Sequence, residues 1–130
     1  TFTPNQAISH PKWSMGKIIS LDSATLMNKA WEFIEIVRLF DIAPEKVEVV
    51  IHPEAHIHSA VEFQDGNILA HISPADMRIP LFSALFFPKS FFTPLSRFSF
   101  FQKEMHFYPV DEDRFPSLQF ARDALQKNRC

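Results

Sequence analysis

Glycine and cysteine are close to missing from this chain of 130 residues, which has two of the first and one of the second. Two glycines leave little room for a backbone loop that wraps phosphates, and no G-x-G-x-x-G, P-loop or G-x-S-x-G pattern is present. Unaided nucleotide binding is therefore not expected. The one cysteine, Cys130, excludes an internal disulfide and points to a reducing compartment or to an incidental end residue. No apolar run approaches the roughly 20 residues needed to cross a bilayer. A net charge of −2 offers nothing to a polyanion, so nucleic acid is not an expected partner. The first residues, Thr1-Phe2-Thr3-Pro4, show neither an initiator methionine nor a secretory pattern, so the chain is expected to be processed or part of something larger.

What the chain does have is phenylalanine, fifteen in all, which calls for a large core or a partner surface. The length suffices for one core. Thr3 and Pro4 predict a capped helical turn over residues 1–9, followed by a loop over 10–16 and a short buried strand or extended entry over 17–21 (KIISL). The spacing then predicts a helix over 23–40 with Asp22 or Ser23 as cap. Leu26, Ala30, Phe33, Val37 and Phe40 form its apolar stripe, flanked by Met27 and Ile34, while Thr25, Asn28, Lys29, Glu32 and Glu35 line the opposite arc.

Beyond Pro44 the β-branched run 47–52 (VEVVIH) reads as a strand, and segments 58–63 and 67–72 flank Gln64-Asp65-Gly66, a hairpin signal. Pro80 opens a helix that Pro88 stops, residues 89–110 mix loop and strand, and an amphipathic helix starting near Pro116 closes the chain. There are no internal repeats. The pattern is α+β: a small mixed β-sheet packed against helices.

Three constellations carry possible chemistry. Asn28 and Glu32 are one helical turn apart, and Lys29 sets a cation beside them. With Ser23 at a helix start, where free amides attract anions, this arc suits a phosphate next to one carboxylate. A solvated face with a Lys29–Glu32 ion pair explains the same spacing. His52, His56 and His58 lie close in sequence, with His56 and His58 on one strand face, and imidazoles suit transition metals; Pro53 interrupts the run, and polar or core histidines are the alternative. The Phe-rich stretch "LFSALFFPKSFF" carries too little basic charge for an anionic membrane and fits a core or subunit interface.

The wording of several segments goes further. "HPKWSMGKIISLDSATLMNKAWEFIE" (10–35) closely resembles the active-site segment of the 1-deoxy-D-xylulose 5-phosphate reductoisomerase family. "VEVVIHPEAHIHSAVEFQDGNILA" (47–70), "PADMRIP" (74–80) and "VDEDRFPSL" (110–118) are similar to that family's following segments in the same order. The resemblance implies rearrangement of a linear sugar phosphate and its reduction by NADPH to 2-C-methyl-D-erythritol 4-phosphate. It also implies a divalent metal (Mg, Mn or Co) chelating the substrate oxygens, the Lewis-acid role. It further implies a homodimer that works in the cytoplasm of a bacterium, or in the plastid of a plant or apicomplexan, with no membrane partner.

By the same resemblance, residues 9–17 form a lid in which Trp13 covers the substrate carbon chain, Met15 lies beside it, and His10 reaches the substrate. Gly16 lies near the nicotinamide. Ser23, Asn28 and Lys29 bind the phosphate or neighbouring hydroxyls, and Glu32 is one of three carboxylate metal ligands. His58 matches a histidine near the active site, and Met77 one of the apolar residues around it. The family usually has Gly at Ala30, Gln-Ser at Glu54-Ala55, and Pro-Asp-Met-Arg-Thr-Pro at Ala75-Asp76-Met77-Arg78-Ile79-Pro80. The chain is thus expected to be the later part of the central catalytic domain of a larger three-domain enzyme. The cofactor-binding and carboxy-terminal helical domains are expected to lie outside it, and these 130 residues alone are expected to be inactive. A catalytically dead interaction module of the same fold and a histidine-based metal-binding domain are the rival readings.

Overall fold

The computed structural model describes residue 3 and residues 16–90, 92–101 and 103–127. The expected helical turn at the start and the lid residues His10, Trp13 and Met15 lie outside the described residues. The chain divides into two compact units, one of residues 1–50 and 109–130 and one of residues 51–108.

In the first unit, α1 (Lys17–Ala24) stands where a strand is expected. Ile18 and Ile19 favour extended backbone locally, yet Gly16 is extended and its carbonyl accepts the Ser20 amide at 3.0 Å, which starts a helical ladder. The isoleucines point outward and Ser20 is the buried residue, so strand propensity is overridden by packing. The helix expected over 23–40 is broken: α2 spans Met27–Phe40, and Leu26 before it adopts a left-handed conformation with φ 55°. Neither Asp22 nor Ser23 caps it. Both lie in α1, and α2 has no side-chain cap.

The apolar stripe of α2 nonetheless buries as its spacing dictates. Ala30, Phe33 and Val37 form the core with Leu118 and Ala121 of α4 (Ser117–Gln126), bordered by Met27, Ile34, Val47, Val49, Val110 and Leu125. Phe33 and Leu118 are each 1% exposed, a burial that contributes about 2–3 kcal/mol apiece. Arg122 extends the packing by setting its guanidinium 5.6 Å over the Phe33 ring. Phe40 is left exposed, because α2 ends at once in Asp41, whose φ of 49° turns the chain away.

The single mixed sheet is not seen. Strands among the described residues form two two-stranded ribbons. β1 (Val50–Ile51) is all that becomes strand in the run 47–52, because Pro53 follows and cannot donate to a ladder; it pairs with β4 (Tyr108–Pro109). In the second unit, β2 (Ile57–Glu62) and β3 (Ile68–Ile72) form an antiparallel hairpin in which Val61 faces Leu69 and Glu62 faces Ile68. Gly66 with φ 83° makes the turn, and the Asp65 carboxylate accepts the Asn67 amide at 3.0 Å. A third helix, α3 (Arg78–Phe86), follows, with the Asp76 carboxylate accepting the backbone N–H of Arg78 at 3.0 Å.

Candidate functional site

The first two turns of α2 bring three of the candidate residues together, two of them on the carboxylate of the third. Asn28 Nδ2 donates to Glu32 Oε1 at 3.1 Å and Lys29 Nζ to Glu32 Oε2 at 2.6 Å. Helical periodicity makes this possible, since residues three and four apart share a face. Both charged side chains are 42% exposed, so the group is open to a ligand and the ion pair adds little stability. Each carboxylate oxygen keeps a further lone pair, and oxygen is the donor a hard cation prefers, so Glu32 fits as one ligand of a divalent metal. Among the described residues no three His, Cys, Asp or Glu side chains gather to complete such a site.

Ser23 is in the last turn of α1, before the break and not at a helix start as expected. Its hydroxyl therefore cannot cap α2, while its carbonyl accepts the Leu26 amide at 3.2 Å. Gly16 is the exposed residue that precedes α1.

The three histidines do not converge. His52 Nε2 accepts the His56 amide at 3.1 Å, so the ring carries its proton on Nδ1, 2.8 Å from the His106 carbonyl. That arrangement turns the His52 lone pair inward to the backbone and away from any metal. His56 precedes β2 and packs edge-on against Phe98. His58 is within β2, with Nε2 3.3 Å from the Ser73 carbonyl and its ring 5.7 Å from His71. Met77 stands exposed just before α3.

Two contacts escaped the sequence. Glu54 holds His106 by ring and backbone, with Oε1 2.7 Å from Nδ1 and Oε2 accepting the His106 amide at 3.1 Å. The available signal was the charge of Glu54 itself, set between His52 and His56. The second contact is the Ser117 hydroxyl, which donates to the Thr25 carbonyl at 2.8 Å. A cleft of about 320 Å³ in the second unit, between Ile72, Pro74, Ile79, Leu95 and Phe98, includes none of the candidate residues.

Comparison with known proteins places these residues in a wider setting. Residues 1–40 match the family described as "1-deoxy-D-xylulose 5-phosphate reductoisomerase C-terminal domain", and residues 72–130 match "DXP reductoisomerase C-terminal domain". A 1-deoxy-D-xylulose 5-phosphate reductoisomerase of Persephonella marina is 47% identical over 126 residues, covering 96% of this chain and 34% of the relative. The solved Zymomonas mobilis enzyme in complex with NADPH is 42% identical with a TM-score of 0.87, over 97% of this chain and 32% of that one. A solved DOX-P reductoisomerase in complex with NADPH, fosmidomycin and magnesium is 40% identical with a TM-score of 0.90, over 96% of this chain and 31% of that one. The chain thus spans about a third of the length of these relatives.

Proposed function

Because the chain belongs to the 1-deoxy-D-xylulose 5-phosphate reductoisomerase family, we propose that it supplies the phosphate-binding residues and one metal carboxylate of such an enzyme. That enzyme converts 1-deoxy-D-xylulose 5-phosphate to 2-C-methyl-D-erythritol 4-phosphate with NADPH. The chain then represents the later part of the central catalytic domain. The observation that carries this reading is the clasp of Asn28 and Lys29 on the two oxygens of Glu32.

Each residue has a physical task. Asn28 and Lys29 fix the Glu32 carboxylate before any ligand arrives, which lowers the ordering cost of binding. Lys29 has a second acceptor within its reach, a substrate phosphate, and its flexible stem serves either. Asn28 and Ser23 offer neutral donors to the phosphate or to sugar hydroxyls. Glu32 holds the divalent cation, which when bound stabilises charge on the substrate oxygens. By the family resemblance, His10 reaches the substrate, Trp13 covers its carbon chain with Met15 beside it, and Gly16 lies near the nicotinamide.

The protein acts in the cytoplasm as a homodimer, joined in part through the exposed phenylalanines of its Phe-rich stretch. Phe87 and Phe92 are each at least 80% exposed, and rings so placed gain from cover. No described helix is long and apolar enough to cross a membrane.

The test is Glu32→Gln in the full-length enzyme, which keeps the shape and the Asn28 contact but removes the charge. Metal-dependent NADPH oxidation with the sugar phosphate should fall by at least about 100-fold. A loss of less than about threefold in a folded variant overturns the assignment.

A further inference from the structure

We infer that Ser117 is a positioning residue that holds open the break between α1 and α2, and so sets where Asn28 and Lys29 stand. This rests on the reading of Asn28 and Lys29 as substrate-binding groups.

In an uninterrupted helix the Thr25 carbonyl accepts the Lys29 amide, four residues on. Here it does not. The Thr25 carbonyl accepts the Ser117 hydroxyl at 2.8 Å, and the helical ladder restarts one residue later with the Ala30 amide on the Leu26 carbonyl at 3.0 Å. On the α1 side the ladder closes with the Thr25 amide on the Leu21 carbonyl at 3.0 Å. The Thr25 hydroxyl adds a second hydrogen bond to the same carbonyl at 3.0 Å. Ser117 thus takes the acceptor that Lys29 would otherwise occupy, and the Lys29 amide is released from the helix.

The break needs such support, because Leu26 at φ 55° is a branched residue in a region that favours glycine. Its local hydrogen bonds are the Leu26 amide on the Ser23 carbonyl at 3.2 Å and the Ala30 amide on the Leu26 carbonyl at 3.0 Å, and neither relieves the positive φ. Ser117 is well placed to support the break: it is 4% exposed and opens α4, whose next residues, Leu118 and Ala121, pack into the core with Ala30 and Phe33. The packing that seats α2 therefore also delivers the hydroxyl to Thr25. A serine in the first turn of a helix commonly serves its own amides; this one serves a carbonyl 92 residues away.

Without the hydroxyl, the Thr25 carbonyl loses this donor, and the protein group placed to replace it is the Lys29 amide, four residues on. Leu26 would relax to right-handed backbone, and α1 and α2 would join. Asn28 and Lys29 would rotate relative to Ser23, while Glu32, a turn further on, would move least.

The experiment compares Ser117→Ala with the parent in the full-length enzyme. Hydrogen exchange of the Lys29 amide should slow by about tenfold or more as it enters the ladder, and KM for the sugar phosphate should rise about five- to tenfold, with kcat changed less than about twofold. Adding Leu26→Gly, which favours the left-handed turn without help, should restore both values. Ser117→Cys, a weaker donor of similar size, should give intermediate values and replaces Ala if that variant does not fold. Unchanged Lys29 exchange in Ser117→Ala overturns the inference whatever the kinetics do. Slowed exchange with an unmoved KM leaves Ser117 as the holder of the break but overturns its effect on the site, while the substrate-binding role of Lys29 is judged separately by Lys29→Met.

Discussion

Glu54 grips His106 from two sides, with one carboxylate oxygen 2.7 Å from the ring Nδ1 and the other 3.1 Å from the backbone amide. These hydrogen bonds hold the Glu54 carboxyl down to about 2 from an ordinary 4.5. The same carboxylate raises the His106 imidazole above its ordinary 6.5, with Glu104 adding a smaller pull. Tyr108 stacks on the free side of the ring, 6.4 Å between centroids.

A pH window follows from those directions. The Glu54 contribution is complete above about 4.5 and is lost as pH falls towards about 2. The His106 contribution is complete below about 6.5 and is lost as pH rises through the raised value. The pair is therefore fully formed only between these limits. A proton NMR titration of the His106 ring should show a midpoint above 6.5 that falls towards it in Glu54→Gln. An identical midpoint in the two proteins would remove Glu54 as the cause.

Lys29→Met separates binding from stability. The Lys29–Glu32 pair is 42% exposed on both sides, so its loss should change the unfolding free energy by less than about 0.5 kcal/mol. In the full-length enzyme, KM for the sugar phosphate should nonetheless rise by more than about tenfold. Steady-state kinetics beside a urea titration give both numbers, and a large stability loss with normal KM contradicts the proposal.

Phe33→Ala should cost about 3–5 kcal/mol, because the ring is 1% exposed and its removal leaves a cavity under Arg122. Phe120→Ala, on α4 but 60% exposed, should stay within about 0.5 kcal/mol. Equal shifts of the two denaturation midpoints would show that the core is misplaced.

Gly66→Ala isolates backbone strain. A Cβ there meets nothing within 4 Å, so the expected loss of about 1 kcal/mol comes from the φ of 83° alone. Gly66→Asn should lose less, since asparagine tolerates that conformation. Thermal melts that rank the two variants the other way would refute the account.

The sequence disclosed those features that local rules govern. Ala30, Phe33 and Val37 recur at helical spacing, and Asp65-Gly66 marks its hairpin with a residue suited to positive φ. The break before α2 left no such mark. In a chain with two glycines, left-handed turns fall to Leu26, Asp41 and Ala55, residues that give no warning of them. Residues 17–21 misled for a related reason, since paired isoleucines favour a strand until packing decides otherwise. Ser117 with Thr25, and Glu54 with His106, join positions 92 and 52 residues apart, beyond any local pattern. Spacing alone put Asn28 and Glu32 on one face, but only likeness to a family gave that face a task.

The five buried apolar residues, Ala30, Phe33, Val37, Leu118 and Ala121, all belong to the first unit, and Ser73 is the one buried residue described in the second. Calorimetry of the chain should register this as an unfolding heat-capacity increment below the usual ~12–15 cal/mol/K per residue. The same sparse burial lowers the unfolding enthalpy, which sets the width of the transition, so the chain should lose structure gradually on warming, without a sharp endotherm.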